Sequence, residues 1–353
     1  MTVSLCVVAY NEEGFLHNLL RDISAQSYDH SLMEIVLVDS ASTDKTRQIM
    51  TEYSRLKHGF RRVLVKDNPK RRQACGWNIA IGASSGDVII RIDAHSHIPP
   101  EFVALNVKNI EDGESVSGGI RPCITEKGTA FGRCLLSLEN SLFGSSINRR
   151  MGAEGKQYVK TMFHAAYKRE IFSTVGGFNE NLLRTEDNEL HYRIRRAGFR
   201  LCLDPHIVSY QYARSTLKGM VKQKYGNGKW IGLTLGVEPR CISPLHLVPL
   251  CFVLSILATT VLWGFGYWHS GALLWSLYTA FAVYSTVASI IGDGFLPHKL
   301  LIPFLFLILH ISYGVGTLIG VVEMPFRRKK LLSDGRRFFD EYSPFGKDRP
   351  RSL

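Results

Sequence analysis

The sequence predicts an α/β protein, a mostly parallel sheet with crossover helices, followed by a C-terminal helical membrane region. Three observations carry this. Short apolar runs alternate four times with segments of helical periodicity in the first 100 residues. Residues 242–292 contain no Asp, Glu, Lys or Arg, although charges are dense before them. Carboxylates and amides recur where the apolar runs end, and in parallel sheets ligands sit outside the carboxyl ends of the strands.

The first apolar run is Val3-Ser-Leu-Cys-Val-Val-Ala9. "YNEEGFLHNLLRDISAQS" follows, with Phe15, Leu16, Leu19, Leu20 and Ile23 at helical spacing. "EIVLVDSAST" gives a second strand ending at Asp39, and "STDKTRQIMTEYSRL" a second helix with Ser42 or Thr43 as N-cap. "RRVLVKD", "QACGWNIAIGAS" and "DVIIRID" complete the alternation. Pro99-Pro100 stops the chain soon after the fourth strand. Beyond Gly118 the pattern loosens. "AFGRCLLSLENSLFGSSI" places Phe131, Leu135, Leu138 and Leu142 on one stripe. That stripe suits a core helix, or an amphipathic helix resting on a membrane.

Three apolar segments follow, at 245–267, 272–291 and 300–322. Each has about the 20 residues that a bilayer core requires. The expected organisation is a cytosolic domain at 1–242, a membrane region at 243–322 and a basic tail at 323–353. Lys218, Lys222, Lys224, Lys229 and Arg240 precede the membrane region, and nine basic residues follow Pro325. The positive-inside rule wants both sides cytosolic, yet three crossings would separate them. One segment is therefore expected to be re-entrant or interfacial. The third, with Pro303, Gly314, Gly316 and Gly320, is the candidate.

The formal net charge is +12. No nucleic-acid motif accompanies it, so an anionic membrane surface or a phosphorylated substrate is the better partner. The seven cysteines form no CxxC pair and read as small buried hydrophobes in a reducing compartment. The N-terminus does not read as a signal peptide. No GxGxxG follows the first strand, so an electron-shuttling nucleotide protein is not supported.

Four places carry chemistry. Asn11, Glu12 and Asp39, on neighbouring strand ends, suit a ribose or nucleobase. Asp93-Ala94-His95-Ser96-His97 offers a carboxylate and two imidazoles on alternate residues, which point the same way in extended chain. Asp93 and His95 are the candidate metal ligands, and His97 a further one. Oxygen ligands suit Mg²⁺, while imidazole suits Mn²⁺ or Zn²⁺ better. Glu186 and Asp187 open a short helix. Acids there complement the helix dipole, but three acids in "EDNE" exceed what a cap needs, and one can act as general base. Finally, "RSTLKGMVKQKYGNGKW" combines Gln223, Lys229 and Trp230 before the first apolar segment. It reads as an interfacial helix with snorkelling lysines, or as a clamp over a diphosphate.

"VVAYNEE", "VDSASTDKT", "QACGWNIAIGASSGDVIIRIDAH" and "GGFNENLLRTEDNELHYRIRRAGFRL", in this order and followed by the Gln/Lys-Trp segment, resemble family 2 glycosyltransferases of the GT-A fold. The likeness covers residues 2–230, and is greatest to the membrane-bound bacterial exopolysaccharide enzymes of the succinoglycan type. It implies an inverting transfer from a nucleoside diphosphate sugar, expected to be a UDP-sugar, to a polyprenyl-diphosphate-linked saccharide. A polyprenyl-phosphate glycosyltransferase is the nearest alternative, and a non-catalytic nucleotide- or lipid-binding scaffold another. A processive synthase is less expected, since nothing apolar precedes Met1. The resemblance places Asn11, Glu12, Asp39, Asn78 and Arg72 at the nucleotide. It places Asp93 at the first Asp of Asp-x-Asp, with His95 replacing the second, on a divalent metal (Mn²⁺ or Mg²⁺). It makes Asp187 the catalytic base, and Glu186, Gln223, Lys229 and Trp230 part of the acceptor and diphosphate region. It implies a multi-pass protein of the bacterial inner membrane with its active site facing the cytosol.

Overall fold

A computed structural model of the chain describes residues 1–125, 129–141, 144, 155–294 and 297–332. The chain opens with β1 (Val3–Ala9), α1 (Glu13–Ser24), β2 (Met33–Asp39), α2 (Thr46–Arg55), β3 (Arg62–Asp67), α3 (Gln73–Ala83) and β4 (Val88–Asp93). Then come β5 (Ser96–His97), α4 (Phe102–Glu111), β6 (Val116–Ile120), β7 (Cys123–Ile124) and α5 (Ala130–Asn140). β8 (Gln157–Val159), β9 (Ala165–Lys168), α6 (Arg169–Val175), α7 (Glu186–Arg196), β10 (Leu201–Val208) and β11 (Tyr210–Tyr212) follow. Four longer helices come last: α8 (Leu217–Thr234), α9 (Val248–Gly264), α10 (Trp268–Asp293) and α11 (Ile302–Leu332). These elements fall into two compact units. One takes Met1–Arg121 and Gly152–Gln211, the other Pro122–Met151 and Tyr212–Arg328.

The first unit is built on a sheet in the order β3-β2-β1-β4-β9-β6-β10-β8. β1 pairs parallel with β2 and β4, and its register sets Ala9 beside Asp39 and Val8 beside Asp93. The carboxyl ends of three adjacent strands are thus level. β9 runs antiparallel between β4 and β6, so the sheet is mostly rather than wholly parallel. Every position of β2 and β4 is buried, as expected for strands covered on both faces. The period of two divides them cleanly. Ile35, Leu37, Ile90 and Ile92 join Leu16, Leu19 and Ile23 of α1 in one core layer. Val36, Val38 and Ile89 join Trp77 of α3, Tyr167 of β9 and Leu190 of α7 in the other. Each fully buried aliphatic side chain is worth about 1.5–3 kcal/mol. Gly76 lets α3 sit close: a Cβ there would lie 2.5 Å from Val8 Cγ1.

In the second unit, Cys134, Leu135 and Leu138 of α5 pack with Met220 of α8 and Ile302, Leu305, Phe306 and Leu309 of α11. The α5 stripe is therefore covered by helix; Leu142, its last expected member, lies outside the described residues. α9, α10 and α11 are each long and apolar enough to cross a membrane. The third segment, the candidate for a re-entrant or interfacial one, is one continuous helix. Pro303 falls in its first turn, where a missing N–H is tolerated. Gly316 and Gly320 act in packing: a Cβ on them would lie 2.3 Å from Tyr225 O and 2.1 Å from Lys229 O of α8. The tail residues after Leu332 lie outside the described residues.

Candidate active site

The site begins with backbone geometry. Asn11, Ala41 and Arg71 have φ of 54°, 56° and 56°, the left-handed region that non-glycine residues rarely adopt. Each lies just beyond the carboxyl end of β1, β2 or β3. Strain of this kind gathers where surrounding structure fixes a loop for a purpose. Asn11 tolerates the conformation and uses it. Its N–H donates to Ser42 Oγ (3.0 Å), and its Oδ1 accepts from the Thr43 N–H (2.8 Å). The loops after β1 and β2 are thereby tied together. Asp39 is buried and accepts from the Ser42 N–H at 3.3 Å.

Glu12 reaches the next strand end. His95 Nδ1 lies 3.1 Å from Glu12 Oε1, and its Nε2 lies 2.9 Å from the Gln211 side-chain nitrogen. Both ring nitrogens are thus engaged, and His95 bridges the β1 loop to β11. His97 Nδ1 lies 2.6 Å from Asp22 Oδ2, and its ring stacks on Tyr210 at 5.6 Å. Each imidazole thus meets a carboxylate of the α1 region, Glu12 at its start and Asp22 near its end.

Asp93 is buried, and its partners stand off. Gln73 Nε2 and His164 Nε2 lie at 3.4 Å, Arg121 at 3.6 Å and Arg91 at 3.9 Å. Burial alone would raise this carboxyl. The His164 hydrogen bond and the Arg91 guanidinium outweigh it and hold Asp93 well below the ordinary carboxylate range. His164 is held in turn by Ser209 Oγ at 2.8 Å and Ser96 Oγ at 3.2 Å. Burial pushes its imidazole down to about 4, so it is neutral at pH 7.

Glu186 and Asp187 open α7, both buried. Burial and the Asp187 charge push Glu186 up to about 7. Burial also raises Asp187, against the pull of Arg91. Arg91 acts on all three acids, Asp93, Glu186 and Asp187. It is 4% exposed and lies 4.8 Å from the Trp77 ring centroid and 5.5 Å from that of Phe178. Its Nε and Nη1, and Glu186 Oε2, have no hydrogen-bond partner among the described residues. Buried donors and acceptors without partners mark a place where a ligand completes the network.

The remaining expected residues are placed as follows. The Asn78 amide is wholly engaged by the 178–180 loop: Nδ2 donates to Phe178 O (2.9 Å) and Glu180 Oε1 (3.2 Å), and Oδ1 accepts from the Phe178 N–H (2.8 Å). Arg72 Nη1 donates to Glu180 O at 3.2 Å and Asn181 Oδ1 at 3.3 Å. Gln223, Lys229 and Trp230 lie half-buried on α8 in the second unit, where Lys229 donates to Glu323 at 2.6 Å. Arg91, Arg121 and His164 were not singled out in the sequence. The available signal was Arg91 itself, a lone cation inside the run Val-Ile-Ile-Arg-Ile-Asp, which burial obliges to find acidic company.

Residues 4–176 match the family described as Glycosyl transferase family 2. The succinoglycan biosynthesis protein ExoA of Rhizobium meliloti (strain 1021) is 30% identical over 296 residues, which are 79% of this chain and 86% of that protein. The chain belongs to glycosyltransferase family 2. This glycosyltransferase is also 27% identical, over 73% of its length, to a Methanococcus voltae protein. That relative, covered over 81%, is a dolichyl N-acetyl-alpha-D-glucosaminyl phosphate 3-beta-D-2,3-diacetamido-2,3-dideoxy-beta-D-glucuronosyltransferase. The mannosyltransferase PcManGT from Pyrobaculum calidifontis, solved with GDP-Man and Mn²⁺, aligns with a TM-score of 0.51 at 20% identity, over 92% of this chain and 86% of that one. The fold of the glycosyltransferase is GT-A, with C-terminal helices long enough to span a membrane.

Among the described residues, no group of three or more His, Cys, Asp or Glu is placed to hold a metal. Asp93 nevertheless fits a divalent cation as a single oxygen ligand. It is ionised, and none of its contacts is shorter than 3.4 Å. Mg²⁺ and Mn²⁺ commonly bind through one or two carboxylates plus substrate phosphates. His95, with both ring nitrogens engaged, fits a positioning part better than a ligand's.

Proposed function

We propose that this enzyme is an inverting glycosyltransferase that moves a sugar from a nucleoside diphosphate sugar, a UDP-sugar, to a lipid-linked saccharide during cell-surface polysaccharide synthesis. The carrying observation is the buried pair Glu186–Asp187 with Arg91 and Asp93 at the carboxyl edge of the sheet. The names of the relatives support the acceptor class: one belongs to succinoglycan synthesis, another glycosylates a dolichyl-phosphate sugar. The three apolar helices support work at a membrane, assigned here to the bacterial inner membrane with the site facing the cytosol.

Asn11, Glu12 and Asp39 hold the nucleoside, with Arg72 toward the phosphates. Asp187, whose carboxyl is raised yet kept ionisable by Arg91, accepts the proton of the acceptor hydroxyl. That oxygen forms a bond to the anomeric carbon as the bond to the diphosphate breaks on the opposite face, so configuration inverts. Arg121, near Asp93, offers charge to the departing diphosphate. A divalent cation held by Asp93 and the donor phosphates supplies further neutralisation when bound. Gln223, Lys229 and Trp230 are proposed to meet the acceptor side.

Asp187→Asn tests the reading. Donor binding, measured by calorimetry with a UDP-sugar panel, should persist while transfer to lipid extracts is lost. Full transfer by the variant would sink the assignment. Transfer to bare polyprenyl phosphate instead of a lipid-linked saccharide would move the acceptor to the nearest alternative.

A further inference from the structure

The second unit contains three apolar helices but does not treat them alike. In α9 and α10 most apolar side chains face outward: Leu257, Val261, Leu273 and Leu277 are all more than half exposed. In α11 more of them are covered: Ile302, Leu305, Phe306 and Leu309 are buried, while Phe304 and Val322 are more than half exposed. Its first half packs on Leu135 and Leu138 of α5 and Met220 of α8. Its second half runs beside α8. Gly228 meets Tyr313, Gly232 meets Thr317 and Gly320, and Gly236 meets Met324. The contact is parallel and close enough that a Cβ on Gly228 would lie 2.0 Å from Tyr313 O.

α8 is not a lipid-soluble neighbour. It carries Lys218, Lys222, Lys224 and Lys229. Lys224 pairs with Glu139 of α5 at 2.8 Å, and Lys229 with Glu323 of α11 at 2.6 Å. Charged side chains at mid-bilayer are costly and rare, which disfavours drawing such a helix there. The close backbone contact with α8 begins at Tyr313, and residues 302–312 before it, at 1.5 Å per residue, span about 16 Å, roughly half of a ~30 Å hydrocarbon core.

α11 also meets the α9–α10 pair. Gly314 lies against Pro249 and Val253. Phe306 meets Phe281, and His310 accepts from or donates to the Tyr278 hydroxyl at 3.1 Å. Lys299, just before α11, donates to Ser289 O. These partners fall at the start of α9 and, in α10, between Tyr278 near its middle and Ser289 near its end. At the opposite end, Trp263, Phe265, Tyr267 and Trp268 stand exposed at the α9–α10 turn, the composition of a membrane–water interface.

We infer that only α9 and α10 cross the bilayer, as a hairpin, and that α11 lies in the near membrane interface across the hairpin's base. The chain then leaves the membrane on the side where it entered. This satisfies the positive-inside rule for Lys218–Arg240 before the hairpin and Arg327–Lys330 after it. The inference rests on the membrane reading given above.

Single-cysteine reporters in the full-length chain test it. Cys123, Cys241 and Cys251 are first replaced by serine, and exposed Phe265 and Phe326 are replaced in turn by cysteine. In intact spheroplasts a membrane-impermeant maleimide should label Phe265→Cys at once and Phe326→Cys only after permeabilisation. Tyr267→Cys and Lys329→Cys provide second positions with the same expectation. Labelling of Phe326→Cys in intact spheroplasts would overturn the inference, as would protection of Phe265→Cys until permeabilisation. Release of the unaltered protein from membranes by alkaline carbonate would overturn the membrane reading itself.

Discussion

Arg91 governs the chemistry of its acidic neighbours. It is a buried cation shared among Asp93, Glu186 and Asp187, and stripping one partner from such a cluster costs about 3–5 kcal/mol. Arg91→Met should therefore lower the unfolding midpoint and abolish most transfer, while Arg91→Lys restores part of both; thermal melts and initial rates in detergent check this. A second expectation concerns pH. Glu186 is raised to about 7 and loses its proton as pH climbs through that value. In the deprotonated state a second negative charge stands beside Asp187. The transfer rate should thus show an inflection near pH 7 that disappears in Glu186→Gln, with the rate falling at lower pH as Asp187 protonates. An unchanged profile in that variant would exclude coupling. Asp93, Asp187 and the Asn11–Glu12–Asp39 group were legible because acids at strand and helix ends stand out against apolar runs. Arg91 was harder, since its place in an apolar run calls for acidic company without saying which acids, and two of them, Glu186 and Asp187, lie almost 100 residues away. The engagement of His95 by Gln211 joins residues 116 apart, which no local pattern reveals.

Among the elements, α3 and α11 repay attention. α3 carries Asn78, fully buried, whose amide pins the 178–180 loop that leads into α7. Asn78→Ala leaves buried loop groups unpaired, about 1–3 kcal/mol. The melting temperature should drop and kcat should suffer more than donor affinity, because the loop leads to the acid pair; a loss confined to donor KM would instead assign Asn78 to the nucleotide. In α8 and α11 the test is steric. Gly228→Leu or Gly232→Leu should prevent the close contact and reduce the yield of folded protein in detergent. Gly14→Ala, with nothing within 4 Å of a new Cβ on α1, should be neutral or stabilising by up to about 1 kcal/mol. In the sequence the α11 glycines mark the third segment as the candidate for a re-entrant or interfacial one. Their use became visible only beside the facing glycines of α8, because a close-packing residue has no meaning without its partner.

Across the whole molecule, charge and hydrophobicity act on separate scales of strength. The +12 net charge attracts the chain to anionic lipid, an attraction that about 1 M salt screens to a range of ~3 Å. The exposed apolar faces of α9 and α10 are indifferent to salt. High-salt washing should therefore leave the protein in the membrane pellet, whereas deletion of residues 248–293 should make its attachment salt-sensitive. The α/β order, the three crossovers between the first four strands and the apolar helices were legible from periodicity alone. The antiparallel insertion of β9 between β4 and β6 was not, since it depends on pairing between residues about 75 apart. The two borders of that sheet have a further consequence. On one side β3 presents Arg62, Lys66 and Asp67 to solvent, and on the other β8 is only three residues long. Charge and brevity both discourage a foreign strand from docking. Growth of the eight-stranded sheet from either flank is thus discouraged, and among the described residues its borders offer a foreign strand little to template on.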